Sequence, residues 1–100
     1  MKDVRITVMC RSVYPELMEK YELPQEMPCE MNIGDVFISE NAEKPANFCN
    51  NAWCTLEPFV KELANGGGGF YGEWMKNTHS AMLSCNDGFR PVTYYIEAVE

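Results

Sequence analysis

Apolar side chains occupy every second position in two segments of this chain, one near each end of the sequence. The positions are Val4, Ile6 and Val8 in the first segment and Val92, Tyr94, Ile96 and Ala98 in the second. A period of two is typical of a β-strand that buries one face and exposes the other. Because each strand needs a partner for its apolar face, the pattern predicts a sheet with another layer packed on it.

The sequence predicts that this layer is an α-helix, because the middle of the chain has a helical period. Apolar residues recur every three to four positions at Phe48, Ala52, Leu56, Phe59 and Leu63. Asn47 precedes this run and is a residue type that favours the N-cap position, and the helix is expected to end near Asn65. Pro58 lies inside the run, where a proline removes one backbone hydrogen bond. We therefore expect the helix to kink there, or to restart with Thr55 as a local cap.

The other elements follow from turn signals and shorter patterns. We expect a first strand over 2–10, a short helix over 15–21, an irregular loop over 23–31, a strand over 36–39, and a hairpin of strands 81–85 and 92–98. The order is β-α-β-α-β-β. The fold class is α+β, a single domain over 1–100 with an antiparallel or mixed sheet of about four strands and one main helix packed on it.

The net charge and the distribution of apolar residues indicate which partners and which cellular compartment to expect. The 100 residues carry a formal net charge of −7, which is unfavourable for a chain that binds nucleic acid or an anionic membrane surface. The N-terminal residues lack the apolar core of a signal peptide, and the sequence holds no apolar stretch of membrane-spanning length. We therefore expect a cytoplasmic protein without nucleic acid or membrane partners.

The five cysteines are the residues most suited to chemistry. An odd number in a reducing compartment argues against a disulfide framework, and the chain has no Cys-x-x-Cys pair. Cys10 and Cys54 are expected to be packed in the interior, since free cysteine is among the most buried residue types. Cys29, Cys49 and Cys85 lie instead at element ends, where sites are usually built.

Those three cysteines form the candidate thiol site. Three thiolates and one Asp or His would complete a zinc or iron centre, and Cys49 stands at the start of the main helix, where backbone N–H groups favour negative charge. Cys49 would then be the nucleophile or the first metal ligand. The alternative is that the three cysteines pack separately, which is the commoner situation, and sequence spacing does not decide between the two.

Three other features invite a functional interpretation. The glycines at 66–69 lack the strand before them and the Lys-Ser/Thr after them that a phosphate-binding loop needs, so they favour a helix C-cap and tight turn. His79 is the only histidine and has no visible partner, which favours a solvated or packing role. Asp87 suits a hairpin turn, whereas Arg90 could pair with a buried carboxylate or bind an anionic ligand.

Two segments carry a family resemblance. Residues 48–53 read Phe-Cys-Asn-Asn-Ala-Trp, and residues 85–92 read Cys-Asn-Asp-Gly-Phe-Arg-Pro-Val. With these motifs, Phe-Cys-x-x-Ala-Trp and Cys-x-Asp-Gly-x-Arg-Pro-Val, the chain resembles end to end a family of small, uncharacterised bacterial and archaeal proteins of about this length. The resemblance implies cysteines at Cys29, Cys49 and Cys85 and gives weight to Trp53, Asp87 and Arg90 as supporting residues. It implies no particular activity.

These observations leave three functional hypotheses. The first is a cytoplasmic accessory protein with a cysteine-centred metal or redox-thiol site. The second is a non-enzymatic module with structural cysteines that binds itself or a partner enzyme through its aromatic-rich segments, at Phe70, Tyr71, Trp74, Tyr94 and Tyr95. The third, which the sequence favours least, is an enzyme with a small-ligand pocket between the glycine run and Arg90 that includes His79 or a carboxylate.

Overall fold

The computed structural model of the protein describes residues 1–24 and 31–99. Its elements are, in chain order, β1 Asp3–Arg11, α1 Pro15–Tyr21, β2 Val36–Ser39, α2 Asn50–Ala64, α3 Phe70–Glu73, β3 Ser80–Ser84 and β4 Val92–Val99. The predicted α+β class is confirmed. The short helix α3 is the one element of this series that the sequence pattern did not predict.

The four strands form one antiparallel sheet in the order β2-β1-β4-β3. The two alternating segments, β1 and β4, are therefore its central strands and pair with each other, with Asp3 opposite Val99 and Ile6 opposite Ile96. The register of this pair shifts between Val8 and Cys10, where β1 carries a bulge. The first and last strands of the fold thus lie side by side.

The core lies between α2 and one face of the sheet. It consists mainly of the alternating strand positions and the apolar side of the helix, namely Val4, Ile6, Val8, Leu83, Val92, Tyr94, Ile96, Ala52, Leu56, Val60 and Leu63, all buried. Burying such side chains stabilises a domain by about 1.5–3 kcal/mol each for the larger aliphatic residues. The opposite face of the sheet is not covered by α2.

The start of α2 differs from the prediction. Asn47 is not the N-cap, because its backbone is left-handed with φ of 63°, a conformation that asparagine tolerates better than most residues. This turn allows Phe48 to enter the core, and Cys49 takes the N-cap position instead, without a side-chain capping bond. The predicted restart at Pro58 is wrong as well, since α2 is one helix of 15 residues with Pro58 inside it.

The glycine run ends α2 and then approaches another segment of backbone. Gly66 and Gly67 donate to carbonyl groups of the last helical turn, which confirms the C-cap interpretation. The amide of Gly69 donates to the carbonyl oxygen of Thr78 over 2.8 Å. At Gly68 a Cβ atom would lie 2.1 Å from that same oxygen, so this position has no room for a side chain.

Helix α3 follows directly and is irregular. Tyr71 and Glu73 both have positive φ, at 58° and 73°, which disfavours them as residues of a regular helix. Phe70 packs edge-on against Phe59 of α2, with ring centroids 5.2 Å apart. The Tyr71 hydroxyl donates to the carbonyl of Met82 on the edge strand β3, over 3.1 Å. The segment therefore covers part of that exposed sheet edge.

Two cysteines lie where the sequence interpretation did not place them. Cys10 and Cys54 were expected in the interior, but both are exposed. The bulge in β1 moves Cys10 off the buried face and opposite Thr93. On α2, Ala52 and Leu56 are buried and lie one turn apart on the side that faces the core. Cys54 is half a turn from each of them and therefore lies on the outer side of the helix.

Within residues 1–24 and 31–99, no helix is both long enough and apolar enough to cross a bilayer.

Candidate functional site

A cavity of about 750 Å³ opens at one end of the sheet, beside the start of α2. We call it the thiol cavity, because Cys49 and Cys85 both line it, together with Asp35, Asp87, Arg90 and Tyr94. Its walls come from the segment around β2, the N-terminus of α2, the β3–β4 connection and β4 itself. Four residues that the sequence singled out, the two cysteines, Asp87 and Arg90, are thus brought to one place.

The two thiols reach the cavity from different elements. Cys49 is the N-cap of α2, and its carbonyl accepts from the amide of Trp53 over 3.0 Å, so the first helical turn holds its backbone. Cys85 follows β3 and is held twice by Val92: its amide donates to the Val92 carbonyl, and its Sγ accepts from the Val92 amide over 3.3 Å. Both cysteines are free and half-buried, so a small ligand could reach them.

Arg90 is occupied by an ion pair within the protein. Its Nη1 and Nη2 each donate to one carboxylate oxygen of Glu22 over 2.7 Å, and its Nε lies 3.7 Å from Asp87 Oδ2. The hydrogen-bonded guanidinium lowers the pKa of Glu22, and the Glu22 carboxylate raises the pKa of Arg90. Of the two roles considered from the sequence, the structure therefore favours pairing with a carboxylate over binding an anionic ligand.

Asp87 organises the turn that carries Arg90. Its Oδ1 accepts from the amides of Phe89 and Arg90, over 2.8 and 3.1 Å, as expected for an Asp-Gly turn. The sequence did not identify Glu22, which is 68 positions from Arg90 along the chain. No local signal links the two residues, because the contact exists only once α1 and the β3–β4 connection have docked.

Part of the lining of the thiol cavity is apolar. It contains Met31, Phe37 and Phe48, and Tyr94 adds a fully buried ring. Phe48 packs edge-on against Phe37 at 5.0 Å and lies 5.4 Å from Tyr94. Asp35, which also lines the cavity, accepts from the amide of Asn32 over 3.0 Å through its Oδ2. A ligand in this cavity would meet both thiols and polar groups and apolar rings.

The remaining predicted site residues do not line the thiol cavity as the structure describes it. Trp53 lies behind the cavity, where its ring packs edge-on against Phe48 at 6.2 Å. Cys29 lies outside the residues that the structure describes. His79 and the glycine run are elsewhere: the Nδ1 of His79 is 3.0 Å from the carbonyl oxygen of Gly67, and neither residue lines the cavity at Arg90. The thiol cavity is therefore not the pocket between the glycine run and Arg90 that the third hypothesis requires.

Within residues 1–24 and 31–99, no three His, Cys, Asp or Glu side chains converge in a way that could hold a metal ion. A metal ion in the thiol cavity would have at most two thiol ligands among these residues, from Cys49 and Cys85. Since the predicted three-cysteine set includes Cys29, that set stays a prediction.

The aromatic segments do not form one surface. Tyr94 is fully buried, whereas the neighbouring Tyr95 points to the opposite face of the sheet. Trp74 is 80% exposed, and its ring lies 5.4 Å from that of Tyr71. The expected patch is therefore split between the interior, the sheet face and the α3 segment.

Comparison of the chain with protein-family models, with curated proteins and with solved structures finds no match. The family resemblance stays a prediction, and the site defines the protein only as a small α+β domain with a cavity that bears two thiols.

Proposed function

We propose that this is a cytoplasmic accessory protein whose functional site is the thiol cavity, and that Cys49 and Cys85 bind a thiophilic metal ion there. The observation that carries the proposal is that two free, half-buried thiols from separate elements line one cavity. Its volume of about 750 Å³ falls in the range of small-ligand sites. Zinc and iron are the candidate ions, because both take thiolate ligands.

The surroundings of the thiols support a soft cation over an anion. The guanidinium of Arg90 already donates through Nη1 and Nη2 to Glu22, so this pair of donors is not available to a phosphate or carboxylate ligand. Asp35 and Asp87 add negative charge to the walls. The amide of Val92 that donates to Cys85 Sγ is the kind of outer contact that orients a metal-bound thiolate. Completion of the site falls to Cys29, to the thioether of Met31, or to water.

The test is elemental mass spectrometry on protein purified without oxygen or chelator. We expect about one zinc or iron per chain, lost in Cys49→Ser and in Cys85→Ser. Cys54→Ser is the matched control, since Cys54 is on the same helix as Cys49 but exposed on its outer side. Cys29→Ser, measured in parallel, decides whether the third predicted cysteine is a ligand.

A second readout is alkylation of the thiols, followed by peptide mass spectrometry. Bound metal should slow the modification of Cys49 and Cys85, whereas the exposed Cys10 and Cys54 should react at the same rate with and without metal. Equal reactivity of all four thiols, with no stoichiometric zinc or iron before or after reconstitution, would overturn the proposal.

A further inference from the structure

The sheet has an open face opposite α2, and its residues form rows across the strands. The two central rows are Ile38–Arg5–Glu97–Ser80, in which Ser80 is buried, and Val36–Thr7–Tyr95–Met82; the rows Asp3–Val99 and Cys10–Thr93–Ser84 lie on either side of them. We call this surface the open face. We propose that it is the interface of a symmetric dimer, and that its partner is a second copy of this chain packed face to face.

The first observation is the apolar character of the open face. Val36, Ile38 and Met82 are 54%, 42% and 43% exposed, and Tyr95 lies between them on β4. In a sheet with one solvated face, alternation usually places polar residues at such positions. Instead, the second row has apolar side chains at both edges and an aromatic ring near its middle. Exposed apolar side chains of this kind, here divided into two groups by Arg5 and Thr7 of β1, are typical of interaction sites.

The second observation is that the open face is complementary to itself. A two-fold axis parallel to the strands, midway between β1 and β4, places β1 of one copy over β4 of the other. Since Arg5 is in register with Glu97, this operation sets Arg5 of each copy over Glu97 of its partner. The same operation sets Thr7 over Tyr95, and Val36 over Met82. Symmetric dimers need this kind of isologous match.

The charges of the open face also permit the contact. The chain as a whole carries a net charge of −7, which would repel a second copy across most surfaces. On the open face, however, Arg5 and Glu97 already form an ion pair within one chain. Two such pairs stacked by the two-fold axis form an alternating set of four charges, which is attractive and selects this orientation over a shifted one.

The area of the open face limits the dimer to a weak, reversible association. The strands contain nine, four, five and eight residues. Each strand residue occupies about 16 Å² of sheet, so the face projects about 400 Å², and the accessible surface of its side chains is larger. Stable specific interfaces bury about 800 Å² per partner. We therefore expect a dissociation constant in the micromolar range, and the twist of the two sheets to leave them about 30° from parallel.

The test is sedimentation velocity of the full chain over a concentration series spanning the micromolar range. The wild type should shift from monomer to dimer as its concentration rises. Ile38→Asp should remain monomeric throughout, because it places a carboxylate without an ionic partner beside Val36 inside the interface. The matched control is Ile33→Asp, since Ile33 is 66% exposed in the turn before β2 and is not part of the open face.

A charge exchange tests the orientation. Arg5→Glu and Glu97→Arg should each weaken the dimer about tenfold, and the double variant should restore it. Circular dichroism verifies that each variant is folded, which separates loss of association from loss of structure. A wild type that stays monomeric across the range, or an Ile33→Asp variant that weakens association as much as Ile38→Asp, would overturn the proposal.

Discussion

Substituting Gly68 with alanine tests how tightly the glycine run is held against the segment before β3. The added Cβ would lie 2.1 Å from the carbonyl oxygen of Thr78, which is a backbone atom and cannot rotate away. The two segments must therefore separate, and the hydrogen bond from Gly69 to Thr78 and the contact between His79 and Gly67 are lost or weakened. The neighbouring Gly67 is the matched control, since its Cβ would meet only the exposed side chain of Glu62.

The magnitude follows from these contacts. Two hydrogen bonds contribute about 1 kcal/mol each, and the steric displacement costs about 1–3 kcal/mol. Alanine recovers about 0.5 kcal/mol by restricting the unfolded chain. We therefore expect Gly68→Ala to lower the free energy of unfolding by about 2.5–4.5 kcal/mol, which corresponds to a fall in Tm of about 10–25 °C for a domain of this size. Gly67→Ala should change it by less than about 0.5 kcal/mol.

Urea unfolding, followed by the fluorescence of Trp53 and Trp74, measures both variants against the wild type. The midpoint of Gly68→Ala should fall by about 2 M with an unchanged slope, because the same surface is exposed on unfolding. If both variants have the same urea midpoint as the wild type, the close backbone approach does not exist in solution and the reasoning is refuted.

Three further predictions concern pH and helix α2. Arg90 holds the pKa of Glu22 below its ordinary 4.5, so the stability that this pair contributes is present above pH 4.5 and is lost as the pH falls further. Glu22→Gln should lower the urea midpoint at pH 7 and flatten its decline below pH 4.5; an unchanged acid dependence would contradict this. Burial raises the pKa of Tyr71 above 10.0, so its contribution is present below pH 10 and lost at higher pH. Tyr71→Phe should flatten the alkaline decline of the midpoint, and an unaltered decline would exclude the effect. Pro58 deprives the Cys54 carbonyl of a helical donor, so Pro58→Ala should raise the free energy of unfolding by about 1 kcal/mol. A decrease in the same urea experiment would mean that core packing depends on the proline.

Strands and the main helix were predictable because their patterns are local. The alternation at Val4, Ile6 and Val8 identifies the buried face of β1, and the pattern at Tyr94 and Ile96 does the same for β4. The order of strands depends on contacts between distant segments, and no spacing in the sequence encodes it. Helix α3 was missed for a different reason: its left-handed residues Tyr71 and Glu73 carry no signal of that conformation.

The candidate site could be predicted in part. Position at an element end selected Cys29, Cys49 and Cys85, and the last two line the thiol cavity, as does Arg90, which was singled out beside the hairpin turn. The general tendency of cysteine to be buried failed at Cys10, because the bulge after Val8 turns its side chain to the opposite face of the sheet. At Cys54 the general tendency of cysteine to be buried was outweighed by its phase on the helix.

The pairing of β1 with β4 has a consequence for synthesis of the chain. The ribosome synthesises β1 first, and the strand that pairs with it, β4, follows about 90 positions later in the sequence. Until then β1 is not in its complete sheet. During that interval β1 can pair only with β2, and the nascent sheet has two strands, which is too few for independent stability. Folding should therefore be late and abrupt, with the core closing once β4 leaves the exit tunnel. Contacts of such long range also make refolding slow compared with helical domains of the same length.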